Sequence, residues 1–275
     1  MKSIELDRLH PVDKDEWLGR FAEESDVNNL VSEDTIVKVK GRTVLVYFKN
    51  SGMDLEPLRK SLGKLKFAPG FRATNSAAFK SNARVFGYMP RLELRNKPCR
   101  ISSLANDDVR SHQLLEQWTS KVAEVYRDFA PEAAELHKAQ TQEKVREEFH
   151  LAKSMFTSGI VNKSSQLPYH FDSGNFKGAW SAMLGLKQYV KGGYLVIPAY
   201  DIALEISDGS LSFFDGQQQL HGVTPIKRIN RKGERYTVVW YSLQKLWSCL
   251  TAKEELALVN QRATNNAKKK EKRKK

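Results

Sequence analysis

His170-Phe171-Asp172 stands in this chain ahead of an isolated His221 and, further on, Arg235-Tyr236-Thr237. In an extended strand, residues two apart point to the same side, so His170 and Asp172 can grip one ion while Phe171 faces away. Two imidazoles and one carboxylate on a triangular face make a ferrous site with positions left open for a cosubstrate and O2. The second imidazole must come from another strand. His221 suits that role: it follows Phe213-Phe214-Asp215-Gly216, a strand running into a turn, and Gly222 and Pro225 behind it stiffen its position. Taken alone, His-x-Asp is a weak signal that chance supplies in many chains.

Arg235 changes that weight. It opens the strand Arg235-Tyr-Thr-Val-Val-Trp-Tyr241, where Arg235 and Thr237 share one face and Tyr236 and Val238 the other. An inward guanidinium is costly unless it meets an anion. Its fork matches a carboxylate bidentately, and a neighbouring hydroxyl adds a third hydrogen bond. The far carboxylate of 2-oxoglutarate requires those donors. A structural Arg paired with a local acid is the competing reading.

The elements around these residues change character along the chain. Residues 16–22 read as a short helix, Thr35 to Phe48 as two strands meeting at Gly41, and Leu55 to Leu65 as a helix. Residues 71–91 read as a Gly- and Pro-bearing loop in which Arg72, Lys80, Arg84 and Arg91 interleave with Phe71, Phe79, Phe86 and Tyr88, a mixture suited to phosphate contact and base stacking. Val109, Leu114, Leu115, Trp118, Val122 and Tyr126 form a helical stripe between Asp107 and Phe129. Pro131 interrupts it, and a second, charged helix is expected from there to Phe156. His112, His137 and His150 lie among charged residues in this region and read as exposed helix positions. After Ile160, short β-type segments follow at Ala182–Leu186, Gly193–Pro198, Ile202–Ile206, Leu211–Phe214 and Tyr236–Leu243, the pattern of an antiparallel sandwich or barrel.

Bulk properties narrow the setting. A chain of 275 residues with a 40% hydrophobic fraction can bury a substantial core. No apolar run approaches the roughly 18 residues that span a bilayer, and the N-terminus lacks the apolar core of a signal peptide. Cys99 and Cys249, without a Cys-x-x-Cys, argue against a disulfide framework or a zinc ribbon and for an intracellular, reducing setting, the cytoplasm of a bacterial or phage-infected host or a nucleus. The net charge is +13, and the last eight residues, Lys268 to Lys275, carry seven basic side chains against Glu271. Such a block stays disordered and touches polyanions, or serves as a solubilising tail or nuclear-type address.

His170-Phe-Asp172, Gly192-Gly193-Tyr-Leu-Val-Ile-Pro198, His221-Gly-Val-Thr-Pro225 and Arg235-Tyr-Thr237-Val-Val-Trp-Tyr resemble the TET/JBP family, the ten-eleven translocation enzymes and the J-binding proteins with their phage and fungal relatives. The resemblance covers residues 155–245 and is weaker upstream. It implies an α+β fold, a double-stranded β-helix (jelly-roll) core with flanking N-terminal helices. It also implies Fe(II) and 2-oxoglutarate with O2 as cosubstrate, and hydroxylation of the 5-methyl group of a pyrimidine in DNA. His170, Asp172 and His221 match the iron ligands, Arg235 the cosubstrate clamp and Thr237 its hydroxyl partner. No cysteine-rich zinc-binding region is visible, so a compact, phage- or JBP-like member is expected, with thymine favoured over 5-methylcytosine.

A pyrimidine methyl group cannot approach such a buried iron from within a base stack, so base flipping is expected. Asn175 and Phe176, in the Gly-bearing loop after the ligands, are candidate substrate contacts, with Arg84 and Arg91 as candidate contacts to DNA. Three segments are expected: residues 1–104 as an α/β part packing on the core, 105–250 as helices plus the dioxygenase core, and 251–275 as a helix end and disordered basic tail. Two alternatives stand beside this reading. One is a 2-oxoglutarate oxygenase acting on a protein or small molecule, for which the basic and aromatic residues 71–91 would be superfluous. The other is a non-catalytic DNA-binding protein on this fold, against which the intact triad and Arg235 argue.

Overall fold

The computed structural model describes residues 1–67, 69–73 and 78–272, and the side chains of these except at 69, 71–73, 78–80 and 267–272. The side chains of Phe71, Arg72, Phe79, Lys80 and the basic tail from Lys268 on lie outside the described residues.

Two facing sheets build the molecule. Among the described residues the main sheet holds ten strands, in the spatial order Lys2–Leu6, Thr35–Val39, Arg42–Phe48, Leu211–Phe214, Ser181–Gln188, Glu234–Tyr241, Ser158–Lys163, Ala78–Met89 and Pro69–Ala73, with Arg100–Ile101 pairing onto Ala78–Met89. Opposite it lies a shorter sheet ordered Gly222–Val223, Leu195–Ile197, Ile202–Leu204 and Asn29–Val31. Pairing is antiparallel except where Lys2–Leu6 joins Thr35–Val39 and Asn29–Val31 joins Ile202–Leu204. This is the double-stranded β-helix within an α+β fold that the family resemblance implied.

Period-2 alternation divides the main sheet's residues between two cores. Ala182, Leu184, Leu186, Tyr236, Val238 and Trp240 face the helix Val109–Phe129 and pack on its Leu115, Trp118, Val122 and Tyr126. The alternate residues Met183 and Phe214 turn inward to meet Leu195, Ile197, Ile202 and Leu204 of the shorter sheet. The Trp240 indole N–H donates to Thr119 Oγ1 at 2.9 Å, so a polar edge buried on this helix is matched.

The helix begins where Asp108 caps it, its carboxylate accepting from the Ser111 N–H at 3.0 Å. It ends at Ala130, whose φ of −139° and ψ of 60° lie outside the helical region, as the following Pro131 disfavours the α conformation there.

Four expectations are corrected. The second helix stops at Lys144, well short of Phe156, and two 3-10 turns follow at Glu147–Phe149 and Leu151–Lys153. Phe149 packs with Cys99 and Cys249, whereas Leu151, Met155 and Phe156 join the helix-facing core, and no single helix face reaches both. The expected loop over residues 78–89 is a twelve-residue strand, Ala78–Met89, paired with Ser158–Lys163. Its Phe86 ring covers Gly159, where a Cβ would lie 2.0 Å from the ring. At the other end, helix Ala252–Lys272 carries the backbone through most of the tail expected to be disordered. Lastly, His112 and His137 are buried rather than exposed, and His150 is half-buried.

His137 sits among Tyr126, Phe156 and Phe176 with Nε2 2.7 Å from Ser242 Oγ. Burial pushes its pKa down to about 3. A pKa depressed from about 6.5 in the unfolded chain means that folding favours the neutral ring. Its contribution is complete above pH 6.5 and is lost as pH falls toward 3. Stability should therefore drop by about 2 kcal/mol between pH 7 and pH 5 from this group alone. Denaturant unfolding of His137→Asn should lack that component; an unchanged pH slope would assign the acid sensitivity elsewhere.

Cys99 and Cys249 form a disulfide, with Cα atoms 5.9 Å apart, contrary to the reading of the pair as unlinked thiols. The fold brings them together from 150 residues apart, a proximity their spacing could not disclose. The link ties the start of strand Arg100–Ile101 to the turn after Gln244–Ser248, beside the cluster of Phe149, Phe176, Ala179 and Leu246. Cys99→Ser should lower unfolding free energy by roughly 2–4 kcal/mol. Equal stability of variant and parent, measured without reductant, would remove the link from the fold's support.

Candidate active site

His170 and His221 face each other across a single antiparallel bridge. The His170 N–H donates to the His221 carbonyl at 3.0 Å and the His221 N–H returns the bond at 3.1 Å, bringing the ring centroids to 4.4 Å. Asp172, two residues on, is held by its N–H to the Gly216 carbonyl at 2.9 Å. Its carboxylate oxygens lie 3.7 Å from His170 Nε2 and 3.9 Å from His221 Nε2. The three donor atoms lie within 4.8 Å of one another.

Both rings are oriented from behind. His170 Nδ1 is 2.8 Å from the Pro168 carbonyl and His221 Nδ1 is 2.9 Å from that of Gln219. A carbonyl only accepts, so each Nδ1 carries a proton, and Nε2 is the ring nitrogen turned toward the carboxylate. Gly216 leaves room for this: a Cβ there would lie 2.8 Å from Asp172 Oδ2 and 3.3 Å from His221 Cε1.

A cavity of about 230 Å³ opens between the sheets at this triad. One wall is the inward face of strand Glu234–Tyr241, from which Arg235, Thr237, Val239 and Tyr241 all line it. Arg235 and Tyr241 are about 20 Å apart on that strand, so the cavity is elongated.

At the Arg235 end the guanidinium is 1% exposed. Its Nη2 donates to the Gly193 carbonyl at 2.9 Å, and its Nε has no hydrogen-bond partner. Burial lowers its pKa to about 10, which leaves it cationic at neutral pH. No acid neutralises it: the ion pairs of the described residues do not include Arg235. A buried cation with an unmatched donor is a receptor for an anion. Gly193 allows the approach. Its φ is +70°, and a Cβ would sit 2.8 Å from Arg235 Nε.

At the Tyr241 end, Asn175 bridges to Leu243, and its Nδ2 donates to Ser181 Oγ at 3.1 Å; with Phe171, Ser173 and Gly174 it lines the cavity. The other substrate candidates lie elsewhere. Phe176 is fully buried against His137 and Trp247, outside the cavity lining. Arg84 pairs with Asp107 at 2.7 Å, and Arg91 is clamped by the buried carboxylate of Glu255. Arg91 thus fastens the C-terminal helix to the body of the protein. Asn162, Ser181 and Gly216 are site residues that the sequence reading did not single out. Asn162 lies opposite Thr237 in the sheet register.

The donor set fits iron(II), and the unmatched Arg235 beside it fits a dicarboxylate. Among the described residues no helix is long and apolar enough to cross a membrane.

The family described as the oxygenase domain of the 2OGFeDO superfamily, Tet_JBP, matches residues 87–244, a stretch that contains all three metal-site residues and Arg235. The bifunctional helicase and thymine dioxygenase JBP2 of Trypanosoma brucei brucei is 22% identical over 237 residues, covering 82% of this chain. The matched region is 21% of that relative's length. Among solved structures, NgTET1 in complex with 5mC DNA superposes with a TM-score of 0.59 at 13% identity, covering 84% of this chain and 86% of that one. With Fe(II) and 2-oxoglutarate as the superfamily's cofactors and the His-Asp-His triad in place, the chain carries an oxygenase domain of the 2OGFeDO superfamily and belongs to the Tet_JBP family.

Proposed function

We propose that this dioxygenase hydroxylates the 5-methyl group of a pyrimidine in DNA, with thymine the favoured base and 5-methylcytosine the second. The observation that carries this reading is the likeness to the bifunctional helicase and thymine dioxygenase JBP2 over 82% of the chain. The fold it shares with NgTET1, captured with 5mC DNA, supports a DNA substrate, as does the net charge of +13. Acting on DNA would place the enzyme inside a cell.

His170, Asp172 and His221 would hold the iron, and Arg235, on one strand face with Thr237, would hold the far carboxylate of 2-oxoglutarate. Bound together, iron(II) and 2-oxoglutarate activate O2, one oxygen atom entering a C–H bond and the other the succinate that is released with carbon dioxide. The protein's share is position and exclusion of water. The walls of Leu195, Val223, Met183 and Val239 keep the inner cavity apolar. A base reaching Asn175 must leave its stack, because a cavity between two sheets cannot admit a duplex. The Asn175 amide offers donor and acceptor together, suited to the edge of a flipped pyrimidine.

Nucleoside mass spectrometry after incubation with Fe(II), 2-oxoglutarate and DNA containing thymine or 5-methylcytosine tests this. The expected product is 5-hydroxymethyluracil. Finding 5-hydroxymethylcytosine alone would overturn the thymine preference, and neither product from a metal-loaded protein would overturn DNA methyl hydroxylation.

A further inference from the structure

Asn162 lies on an interior strand of the main sheet, paired with Ala83 on one side and Thr237 on the other. Its side chain is 4% exposed and lines the cavity with Arg235 and Thr237. The amide Nδ2 donates to Thr237 Oγ1 at 3.4 Å, while Oδ1 has no partner. A buried amide oxygen left unmatched is costly, and a dicarboxylate offers it no donor at neutral pH.

A rotation of the amide by 180° about its terminal torsion removes the conflict. Thr237 has one hydroxyl proton, which can then go to Asn162 Oδ1. The two Nδ2–H groups then turn to the cavity that Arg235, with its unmatched Nε, also lines. Every donor and acceptor of the three side chains then has a use once a carboxylate arrives.

We infer that Asn162 is a cosubstrate-binding residue, whose amide donates to the far carboxylate of 2-oxoglutarate alongside Arg235, with Thr237 fixing the amide's orientation. This rests on Arg235 being the clamp for that carboxylate. Neighbouring residues support the geometry: Ile160, two positions earlier, also lines the cavity, whereas Val161 turns to the helix-facing core. The side chain therefore cannot leave the cavity wall without breaking the alternation of its strand.

Calorimetric titration of 2-oxoglutarate into the Mn(II)-loaded protein reads binding without turnover. A parallel titration with 2-oxopentanoate, which keeps the 2-oxo acid end and lacks the far carboxylate, separates contact from scaffold. Asn162→Ala should weaken 2-oxoglutarate about 10- to 100-fold, the worth of a hydrogen bond to a charged group, and leave 2-oxopentanoate within about threefold of the parent. Asn162→Asp, close in shape but acceptor-only and anionic, should weaken 2-oxoglutarate further still. An unchanged dissociation constant in Asn162→Ala would overturn the inference, and so would an equal loss for both acids, the mark of a structural role. Should Arg235→Lys leave 2-oxoglutarate binding intact, the clamp reading itself would fall; should it weaken binding while Asn162→Ala does not, the role of Asn162 alone would fall.

Discussion

Asp172→Ala should abolish hydroxylation and iron binding together while leaving the fold intact. Asp172 is the one carboxylate of the triad, lying 3.7 Å and 3.9 Å from the two imidazole nitrogens. Without it two neutral rings remain, with no anionic oxygen donor on that face. Loss of a residue that merely orients a ligand costs 10- to 100-fold in metal affinity, so loss of a ligand should exceed about 100-fold. The fold does not depend on this side chain: its backbone N–H makes the bond to Gly216, which alanine retains. Metal content after dialysis, succinate production and thermal unfolding check the three parts of the statement. Retained turnover with normal iron content would mean that another group completes the site.

The grouping of these residues was legible in the sequence because it is carried by two pairs spaced two apart, His170 and Asp172 beside an isolated bridge and Arg235 and Thr237 on strand Glu234–Tyr241. His-x-Asp and Arg-x-Thr need only the alternation of a strand to put their partners on one face, and alternation survives translation into structure. Asn162 was illegible for the opposite reason. Its strand, Ser158–Lys163, is short and contains Gly159, and its importance lies in standing opposite Thr237, a register set by long-range pairing. The same holds for the strand Ala78–Met89, where Gly87 and Pro90 read as loop punctuation. Gly87 instead adopts a φ of +71° within the strand and packs tightly on Thr157. His112 and His137 misled through their neighbours in sequence: charged residues on one side of a helix say nothing about the face that meets the sheet. The Gly192–Gly193 pair shows the limit most clearly. The sequence placed Gly193 at the head of a β-type segment, but the reason for glycine there is the Arg235 side chain 2.8 Å from where a Cβ would be.

Arg235→Lys should raise the 2-oxoglutarate requirement about 10- to 100-fold and leave iron binding unchanged. The guanidinium is 1% exposed, anchored on one side by the Gly193 carbonyl and open on the other through Nε. An ammonium can replace one of those bonds but not the planar fork that satisfies a backbone carbonyl and a carboxylate simultaneously. Each charge-assisted bond lost is worth about 1.5–3 kcal/mol, which is the factor expected. A buried lysine also sheds its proton more readily than a buried arginine, so affinity for the dianion should weaken further as pH rises, in a range where the parent's Arg235, with its pKa near 10, stays charged. Lys187 is the control. It lies opposite Arg235 in the sheet register, but its ammonium is committed to the Gly192 carbonyl at 2.8 Å and it does not line the cavity. Lys187→Met should therefore leave the 2-oxoglutarate requirement near that of the parent. If the two substitutions exchanged their effects, the anion would bind on the other side of the glycine pair and the cavity between the sheets would have to be assigned to substrate alone.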